Sequence, residues 1–558
     1  IYSSCASPGI FYYLQDKKIY ISNTEKDIYK KFGKENEIDE NQVIGHIISH
    51  QILLRTPFDS LFKNIKRCPA GGYFSFDTKL SPKVNLFIGK TSLEIEQNKI
   101  NNATINKQTD EFAFLLESIL DLITDYYKNV ELLKSGGIDS AVLLAGMSSI
   151  NKKFNKLSYI PYGSTKKPDS TLAKLIAQHF GYDIDYPYAR KPDLKLLKER
   201  ALTGTGMLIG PQYLSYYYKD ESKKQDKNAL IKLSGQNADS LYSVDNFSPN
   251  SKITGISRWY NILKTVKKRI LYTNIMLSEN SFIKKILLLL TGIKSKLFFE
   301  YLRSTVHSVN EHAVPLDEKT TENNLPIKIY NNYKKYREEK ILKPVINIAK
   351  KNGIKFNECN IYERNHIIRL IKWCRTLQNV SVTYYNNELL ENLHKILPYS
   401  EGPLVDFFLC YMLRLPDVFF IKRIIHTYFK RKAKRSHQYF AKKMNKIEKH
   451  FFLHSKILLK KILLKILFLN YLTKKQKKKI MNNRYLEQLG KLKEMIDNKE
   501  KYLTFFLKEE ENKNFVSGIY NKLDNYKDYE WSKQEVMFLC RFVNLELFLK
   551  GIFTDSEN

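Results

Sequence analysis

The sequence has few cysteines, no long uncharged apolar run and a shortage of acidic residues. None of the cysteines forms a C-x-x-C pair, and they are widely scattered: Cys5, Cys68, Cys359, Cys374, Cys410 and Cys540. This scatter disfavours a disulfide framework or a zinc site and favours reduced thiols in a cytoplasmic protein. Because no run of about 18 uncharged apolar residues occurs, a membrane-spanning helix is not expected. The chain starts Ile1-Tyr2-Ser3-Ser4, without Met and without a signal-peptide pattern, so we expect the natural N-terminus to lie upstream.

Basic residues exceed acidic ones by a wide margin. Lysine and arginine total 92 against 58 for aspartate and glutamate, a formal net charge of +34. Two explanations fit this excess. One is AT-rich coding, which enriches Lys, Ile, Asn and Tyr together. The other is an anionic partner such as nucleic acid, a membrane surface or a phosphorylated substrate. The length of 558 residues predicts two domains or more.

The patterning changes along the chain. Residues 1–95 predict a β-rich domain, because short aromatic and β-branched runs at 9–14, 18–21 and 72–76 alternate with turn residues. Residues 15–17 predict a hairpin turn, and the polar, Asn-rich stretch 96–112 predicts a linker.

From residue 113, strand and helix patterns alternate, which predicts a parallel α/β sheet. Strands are predicted at 130–133, 157–162 and 230–233, and helices at 112–127, 141–147 and 172–180, the last ended by Gly181. Residues 255–558 are basic and predicted to be mostly helical. Within them, 283–299 and 456–472 are rich in Leu and Ile, and lysines edge the second segment. Such a segment fits a buried helix with a solvated lysine edge, or a helix lying on an anionic membrane surface.

The most informative stretch is residues 135–140, which read Ser-Gly-Gly-Ile-Asp-Ser and follow a predicted strand. At such a position an α/β sheet presents a loop and a helix N-terminus to a ligand. Gly136 and Gly137 let the backbone approach an anion, and Ser135 and Ser140 add hydroxyl donors. Asp139 would repel a phosphate but suits Mg²⁺, which takes carboxylate and phosphate oxygens together. The alternative is a plain Ser- and Gly-rich turn that caps a helix.

This motif resembles the pyrophosphate-binding loop of the ATP-pyrophosphatase (PP-loop) superfamily, and its surroundings resemble the asparagine synthetases. Residues 159–181 and 233–240 resemble that family's second strand with its helix and its third-strand loop. Leu415-Pro416-Asp417 with Lys422 resembles a segment whose lysine faces pyrophosphate, and 538–549 resembles the closing helix. The resemblance implies ATP binding by Leu133, Ser135, Gly136, Gly137, Ile138, Asp139, Ser140, Ile160, Ser234 and Gly235. It also implies Mg²⁺ on Asp139 and Asp239, with Asp139 and Lys422 as catalytic residues.

The N-terminal part resembles the second half of the glutaminase domain of these enzymes. The implied fold class is α/β, with an incomplete Ntn-type, glutamine amidotransferase-like β-rich domain at 1–95. A parallel α/β ATP-pyrophosphatase domain follows at 113–558, helical and basic from about 255. The family's nucleophile is a cysteine at the mature N-terminus, and Cys5 does not stand in the matching place. Either the front of this domain is missing, or the domain no longer makes ammonia.

Several positions depart from the family pattern on the amine-acceptor side. Gln236 stands where the family has a glutamate that handles the protons of the amine, and a glutamine cannot act as a base. Asn237 and Ser240 replace a glycine and a glutamate, and the charged pair expected near Gln378-Asn379 is missing. The residues expected to bind pyrophosphate and metal are therefore retained, whereas those expected to handle the amine acceptor differ from the family pattern.

The resemblance implies an amide-forming ligase that adenylates a carboxylate, releasing pyrophosphate and then AMP, for attack by ammonia or another amine. The departures leave open a peptide macrolactam or β-lactam synthetase-type cyclase, and an enzyme that amidates uronic-acid sugars. A non-catalytic nucleotide-binding scaffold is disfavoured because Asp139 and Asp239 are both retained. An RNA modifier is disfavoured because zinc cysteines and an RNA-binding domain are missing.

The expected partners are a small-molecule or peptide carboxylate and an amine donor. A homodimer and a peripheral contact of the cytoplasmic protein with an anionic membrane remain open.

Overall fold

The structure, a computed structural model, describes a large part of the chain. The described residues are 10–16, 18–22, 25–33, 37–48, 59–68, 72–76, 82–86, 105–159, 167–185, 189–190, 194–203, 217–218, 231–235, 238, 325–351, 394–401, 403–405, 407, 423–444, 474–496, 501–529, 531 and 533–554.

The described part of the chain is mixed α/β, with more helix than strand. Its strands are β1 (Ile10–Gln15), β2 (Lys18–Ser22), β3 (Lys66–Cys68), β4 (Gly72–Phe76), β5 (Pro82–Leu86), β6 (Val130–Lys134), β7 (Lys156–Tyr159), β8 (Ala189–Arg190), β9 (Tyr217–Tyr218), β10 (Ile231–Ser234) and β11 (His394–Ile396). Its α-helices are α1 (Glu25–Phe32), α2 (Glu40–Ile48), α3 (Ile105–Tyr126), α4 (Ile138–Ser149), α5 (Lys167–His179), α6 (Leu194–Thr203), α7 (Leu325–Arg337), α8 (Lys343–Lys351), α9 (Arg423–Ala433), α10 (Lys474–Met495), α11 (Tyr502–Phe506), α12 (Glu510–Asp524) and α13 (Lys533–Thr554). A π-helical turn at Glu338–Leu342 joins α7 to α8, and 3₁₀ turns lie at Pro398–Ser400 and Tyr526–Asp528.

The N-terminal strands form an antiparallel sheet in the order β2-β1-β3, beside the β4-β5 hairpin. The predicted turn between β1 and β2 is confirmed, since Gln15 pairs with Lys18 and Asp16 has a φ of 49°. That left-handed conformation suits a tight hairpin, and Asp tolerates it better than most residues. The sequence patterns did not predict α1 and α2. In α1, acidic Glu25 and Asp27 in the first turn and lysines in the last turn complement the helix dipole.

The central sheet is parallel throughout, in the order β11-β10-β6-β7. The three strands predicted near 130, 157 and 230 are all present, and the sheet confirms the predicted parallel α/β layer. Strand β7 ends at Tyr159, and the remainder of its predicted range lies outside the described residues. Strand β11 was missed because three residues, His394–Ile396, are too few to show a pattern.

One face of the parallel sheet is apolar and packs against helices. Val130, Leu132, Leu157 and Leu233 are each at most 2 % exposed and share a core with α3, α4 and α9. The other face carries a buried polar row. There, Ser158 Oγ donates to Glu131 Oε1, and Lys232 Nζ lies 3.9 Å from Glu131 Oε2.

Helix α3 begins at Ile105, inside the stretch 96–112 that was predicted as a linker. Residues 105–112 are therefore helical rather than linker. Their polar composition misled the prediction, because Gln108 and Thr109 are buried against the core. The Thr109 hydroxyl donates back to the Ile105 carbonyl at 2.6 Å and so stays satisfied inside the helix.

A second core joins the two ends of the chain. Helix α13 packs against α2 and α6, and Phe11, Ile47, Leu197 and Phe548 are all at most 2 % exposed in this cluster. Among the described residues, the cysteines are Cys68 and Cys540, both buried and not in disulfides. No helix in this part of the chain combines the length and apolar character needed to cross a membrane. The segments 283–299 and 456–472 lie outside the described residues.

Candidate functional site

Residues 135–140, the predicted pyrophosphate-binding motif, lie at the carboxyl edge of the parallel sheet. Strand β6 ends at Lys134 and leads into Ser135, and its neighbour β10 ends at Ser234 and leads into Gly235. After β6 the chain crosses through α4 to β7 on one side, whereas β10 and β11 lie on the other side. The gap between β6 and β10 is thus the topological switch point, where ligands of open α/β sheets bind.

Two serines shape the loop by hydrogen bonds among themselves and the backbone. Ser140 Oγ accepts from the Ser135 N–H at 3.2 Å, and Ser135 Oγ accepts from the Gly137 N–H at 3.2 Å. Helix α4 starts after Gly137, an N-cap residue that has no side chain to cap the first amides. A helix start of this kind offers N–H groups and positive potential to an anion.

Two glycines allow close backbone packing around the loop. A Cβ on Gly136 would collide with the Asp169 carboxylate and lie 2.7 Å from the Asp169 carbonyl oxygen. A Cβ on Gly235 would lie 2.7 Å from Ser140 N and 2.8 Å from the Asp139 carbonyl carbon. Gly136 therefore brings the loop against the start of α5, and Gly235 brings β10 against the first turn of α4.

The residues of the loop alternate between the interior and the surface. Ser135, Gly137 and Asp139 are partly exposed, whereas Gly136 and Ser140 are buried. Ile138 is 8 % exposed and belongs to the core, so its backbone rather than its side chain reaches the loop surface. Of the other predicted nucleotide contacts, Leu133 is partly exposed near the end of β6, and Ser234 is the buried last residue of β10.

Two residues that sequence reasoning missed hold the loop from distant parts of the chain. Tyr399, fully buried just after β11, donates its hydroxyl to the Asp139 carbonyl at 3.0 Å. His437 Nε2 lies 2.9 Å from the Gly136 carbonyl, so this nitrogen carries the proton and donates. No local sequence signal marks either residue, because each lies far from the loop along the chain.

Two further polar residues, Lys134 and Asp169, lie beneath the loop. Tyr159, at the end of β7, donates its hydroxyl to Asp169 Oδ2 at 3.1 Å. Lys134 is fully buried, and its Nζ donates to the Ser135 carbonyl and, at 3.3 Å, to Ser140 Oγ. Burial lowers the pKa of Lys134 to about 7, although the negative charges of Asp169 and Asp139 act to raise that pKa. A lysine in a strand that otherwise faces the core was a visible signal in the sequence.

The lowered pKa of Lys134 makes a testable prediction about stability. Between about pH 7 and its unfolded value of 10.5, the unfolded chain binds more protons at this residue, so stability rises with pH. From pH 7 to pH 9, the free energy of unfolding of the wild type should rise relative to Lys134→Met by on the order of 2 kcal/mol. Urea midpoints of both proteins at the two pH values measure this difference, and a constant difference would contradict the buried-amine account.

Three predicted residues cannot be placed, because Ile160, Asp239 and Lys422 lie outside the described residues. Helix α9 begins at Arg423, the residue after Lys422, and packs against α4. Within the described part of the chain, no three His, Cys, Asp or Glu side chains form a metal cage. Mg²⁺ commonly needs one or two carboxylates plus substrate phosphates, so the partly exposed Asp139 at the loop suits such a shared site.

Comparison of the sequence with protein-family models and with curated proteins found no match. The resemblance to asparagine synthetases therefore rests on the motifs quoted above and stays a prediction.

Proposed function

We propose that this chain is an ATP-dependent, amide-forming ligase of the asparagine synthetase kind. The observation that supports it most is the position of residues 135–140. They comprise a glycine-containing loop at 135–137 and the first turn of α4, whose N-cap Gly137 has no side chain, at the switch point between β6 and β10. Nucleotide phosphates suit such a loop because it combines N–H donors, hydroxyls and close backbone approach.

The first step in this proposal is adenylation. Residues 135–140, with Ser234 and Gly235 on the neighbouring strand, hold the ATP phosphates. A substrate carboxylate oxygen attacks the α-phosphorus, the bond to the bridging oxygen breaks, and pyrophosphate leaves. Asp139 and Asp239 would hold Mg²⁺, which supplies charge neutralisation to the phosphates. Lys422 would neutralise the leaving pyrophosphate.

The second step is capture of the acyl-adenylate by an amine. The amine nitrogen attacks the acyl carbon, AMP leaves, and the nitrogen gives up a proton. Gln236 occupies the position of the family's glutamate and cannot take that proton. This departure favours an amine other than enzyme-delivered ammonia, as in lactam-forming or sugar-amidating relatives of the superfamily. As part of the same proposal, residues 1–95 are a remnant of a glutaminase-like domain.

The deciding experiment is pyrophosphate release from ATP and Mg²⁺ with a panel of carboxylates, with and without ammonia. Wild-type release should require a carboxylate. Asp139→Asn should lower it about 100-fold or more, because the variant keeps the shape of the side chain but loses its charge.

The matched control is Asp185→Asn, which changes an exposed carboxylate beyond β7 that pairs with Lys156 at 3.3 Å. This control should keep nearly full activity. Equal losses in both variants, or release that needs no carboxylate, would contradict the assignment. ATP binding without any release would instead support the non-catalytic scaffold.

A further inference from the structure

Lys134 lies in an unusual place for a lysine. It is the last residue of β6, is fully buried, and follows Val130 and Leu132 on the face of the strand that packs into the core. Burying an amine costs free energy unless it forms good hydrogen bonds. An apolar residue would fill this position without that cost, so the amine is expected to do something for the loop that follows it.

The hydrogen bonds of Lys134 go to the two ends of the loop. Its Nζ donates to the Ser135 carbonyl, where the loop begins, and to Ser140 Oγ at 3.3 Å, in the first turn of α4. Ser140 Oγ also accepts from the Ser135 N–H at 3.2 Å. Lys134 therefore closes a small ring of hydrogen bonds that ties the end of the strand to the start of the helix.

The orientation of the Ser135 carbonyl has a consequence for the next amide. In a trans peptide the C=O of one residue and the N–H of the following residue point in opposite directions. Since Lys134 holds the Ser135 carbonyl inward, the Gly136 N–H points away from the amine. The hydrogen bond from Lys134 to the Ser135 carbonyl thus leaves the Gly136 N–H on the opposite side of the peptide, as a backbone donor.

We propose that Lys134 is a positioning residue that fixes the phosphate-binding loop from beneath, and so sets the direction of its backbone donors. The phosphate part of this statement rests on the proposed function, whereas the fixing of the loop does not. Both the ammonium and the neutral amine carry N–H groups, so the bonds to Ser135 and Ser140 persist in either protonation state.

The test compares Lys134→Met with the wild type. Methionine has a similar length, is apolar and donates no hydrogen bond. In the ligand-free protein, amide hydrogen exchange at residues 135–138 should become about tenfold faster. The dissociation constant for inorganic pyrophosphate with Mg²⁺ should rise about tenfold. The melting temperature at pH 7 should not fall, because the cost of burying the amine is removed as well.

Lys232→Met is the matched control, since it removes another buried lysine from the adjacent strand β10. Lys232 is 7 % exposed, and its amine lies 3.9 Å from the Glu131 carboxylate, away from the loop. This variant should show the opposite pattern. The melting temperature should fall because the buried Glu131 loses its ion-pair partner and keeps the hydrogen bond from Ser158 Oγ, while loop exchange and pyrophosphate affinity stay unchanged.

A third variant, Ser140→Ala, tests the same ring if Lys134→Met does not fold. It removes the side-chain acceptor and should also speed loop exchange. Where both single variants fold, the double variant Lys134→Met, Ser140→Ala shows whether the two residues act together. If Lys134 acts through Ser140, the double variant should weaken pyrophosphate binding no more than the stronger single variant. If the two residues act independently, the fold-changes in the dissociation constant should multiply. Unchanged amide exchange at residues 135–138 in Lys134→Met would overturn the inference. If Lys134→Met does not fold, unchanged exchange in Ser140→Ala would overturn it. A wild-type chain that binds no pyrophosphate would refute the proposed function, and the exchange measurement would still decide the role of Lys134.

Discussion

For the proposed ligase activity, Gly235→Ala is expected to lower carboxylate-dependent pyrophosphate release to about one-hundredth of the wild-type rate or less. The added methyl group would lie 2.7 Å from Ser140 N and 2.8 Å from the Asp139 carbonyl carbon. Both atoms belong to the backbone at the start of α4, so no side-chain rotation relieves the overlap. Strand β10 and helix α4 must move apart, and Asp139 moves with the helix. A displacement of about 1 Å at a reacting centre costs about 100-fold in rate.

Gly518→Ala, in α12, is the matched control, because a Cβ there meets no atom within 4 Å. Its helix packs into the second core through Val516 and Ile519 and not into the loop. This variant should keep activity close to that of the wild type. Steady-state rates and circular dichroism of both variants make the comparison. If Gly235→Ala were as active as Gly518→Ala, close packing of β10 on α4 would not matter for the proposed reaction.

Glu546→Ala is expected to lower the free energy of unfolding by about 3 kcal/mol, the largest stability effect predicted for a single side chain here. Glu546 lies on α13, and its carboxylate accepts the N–H groups of Tyr502 and Leu503, each at 2.9 Å. These amides begin α11, whose own flanking residue Lys501 provides no side-chain cap. Burial raises the pKa of Glu546, and the two N–H bonds oppose that rise. Removing the carboxylate leaves a helix start inside the core without an acceptor.

Urea unfolding and amide hydrogen exchange of α11 measure this effect. Glu546→Gln should lie between wild type and Glu546→Ala, because the amide retains one acceptor oxygen. The control is Glu487→Ala, whose carboxylate is 68 % exposed and pairs with Lys491 one turn along α10. An exposed pair of this kind contributes little, so the control should change stability by less than about 0.5 kcal/mol. Equal effects of Glu546→Ala and Glu487→Ala would refute the capping role.

The fold was predictable where the local pattern and the packing agree. The strands near 130, 157 and 230 have apolar residues at alternate positions that face the core. Gly181, with φ +75°, follows the end of α5 as a C-terminal cap should. Helix α3 was predicted from Phe112 onward because its apolar spacing is clear there. Its first turns were missed, because Gln108 and Thr109 are polar residues buried by tertiary contacts. Patterns of hydrophobicity carry no information about such contacts.

The candidate site divides in the same way. Residues 135–140 could be predicted because the chemistry and the strand–loop–helix context coincide within a few positions. Tyr399 and His437 could not, since their contacts to Asp139 and Gly136 span 260 and 301 residues. Lys134 was visible as a polar residue in a core-facing strand, but its role depends on the direction of its amine, which only the folded geometry supplies.

The residues that support the loop at 135–140 lie far apart along the chain, and this separation has a consequence for biosynthesis. Support for the loop comes from Gly235 after β10, Tyr399 after β11 and His437 beyond α9. Parallel pairing of this kind has high contact order and forms late, after long stretches of chain have been synthesised. A nascent chain that carries residues 135–140 but not His437 therefore lacks the completed loop. The proposed nucleotide would therefore bind only when translation is nearly finished, and would then favour the fully folded chain.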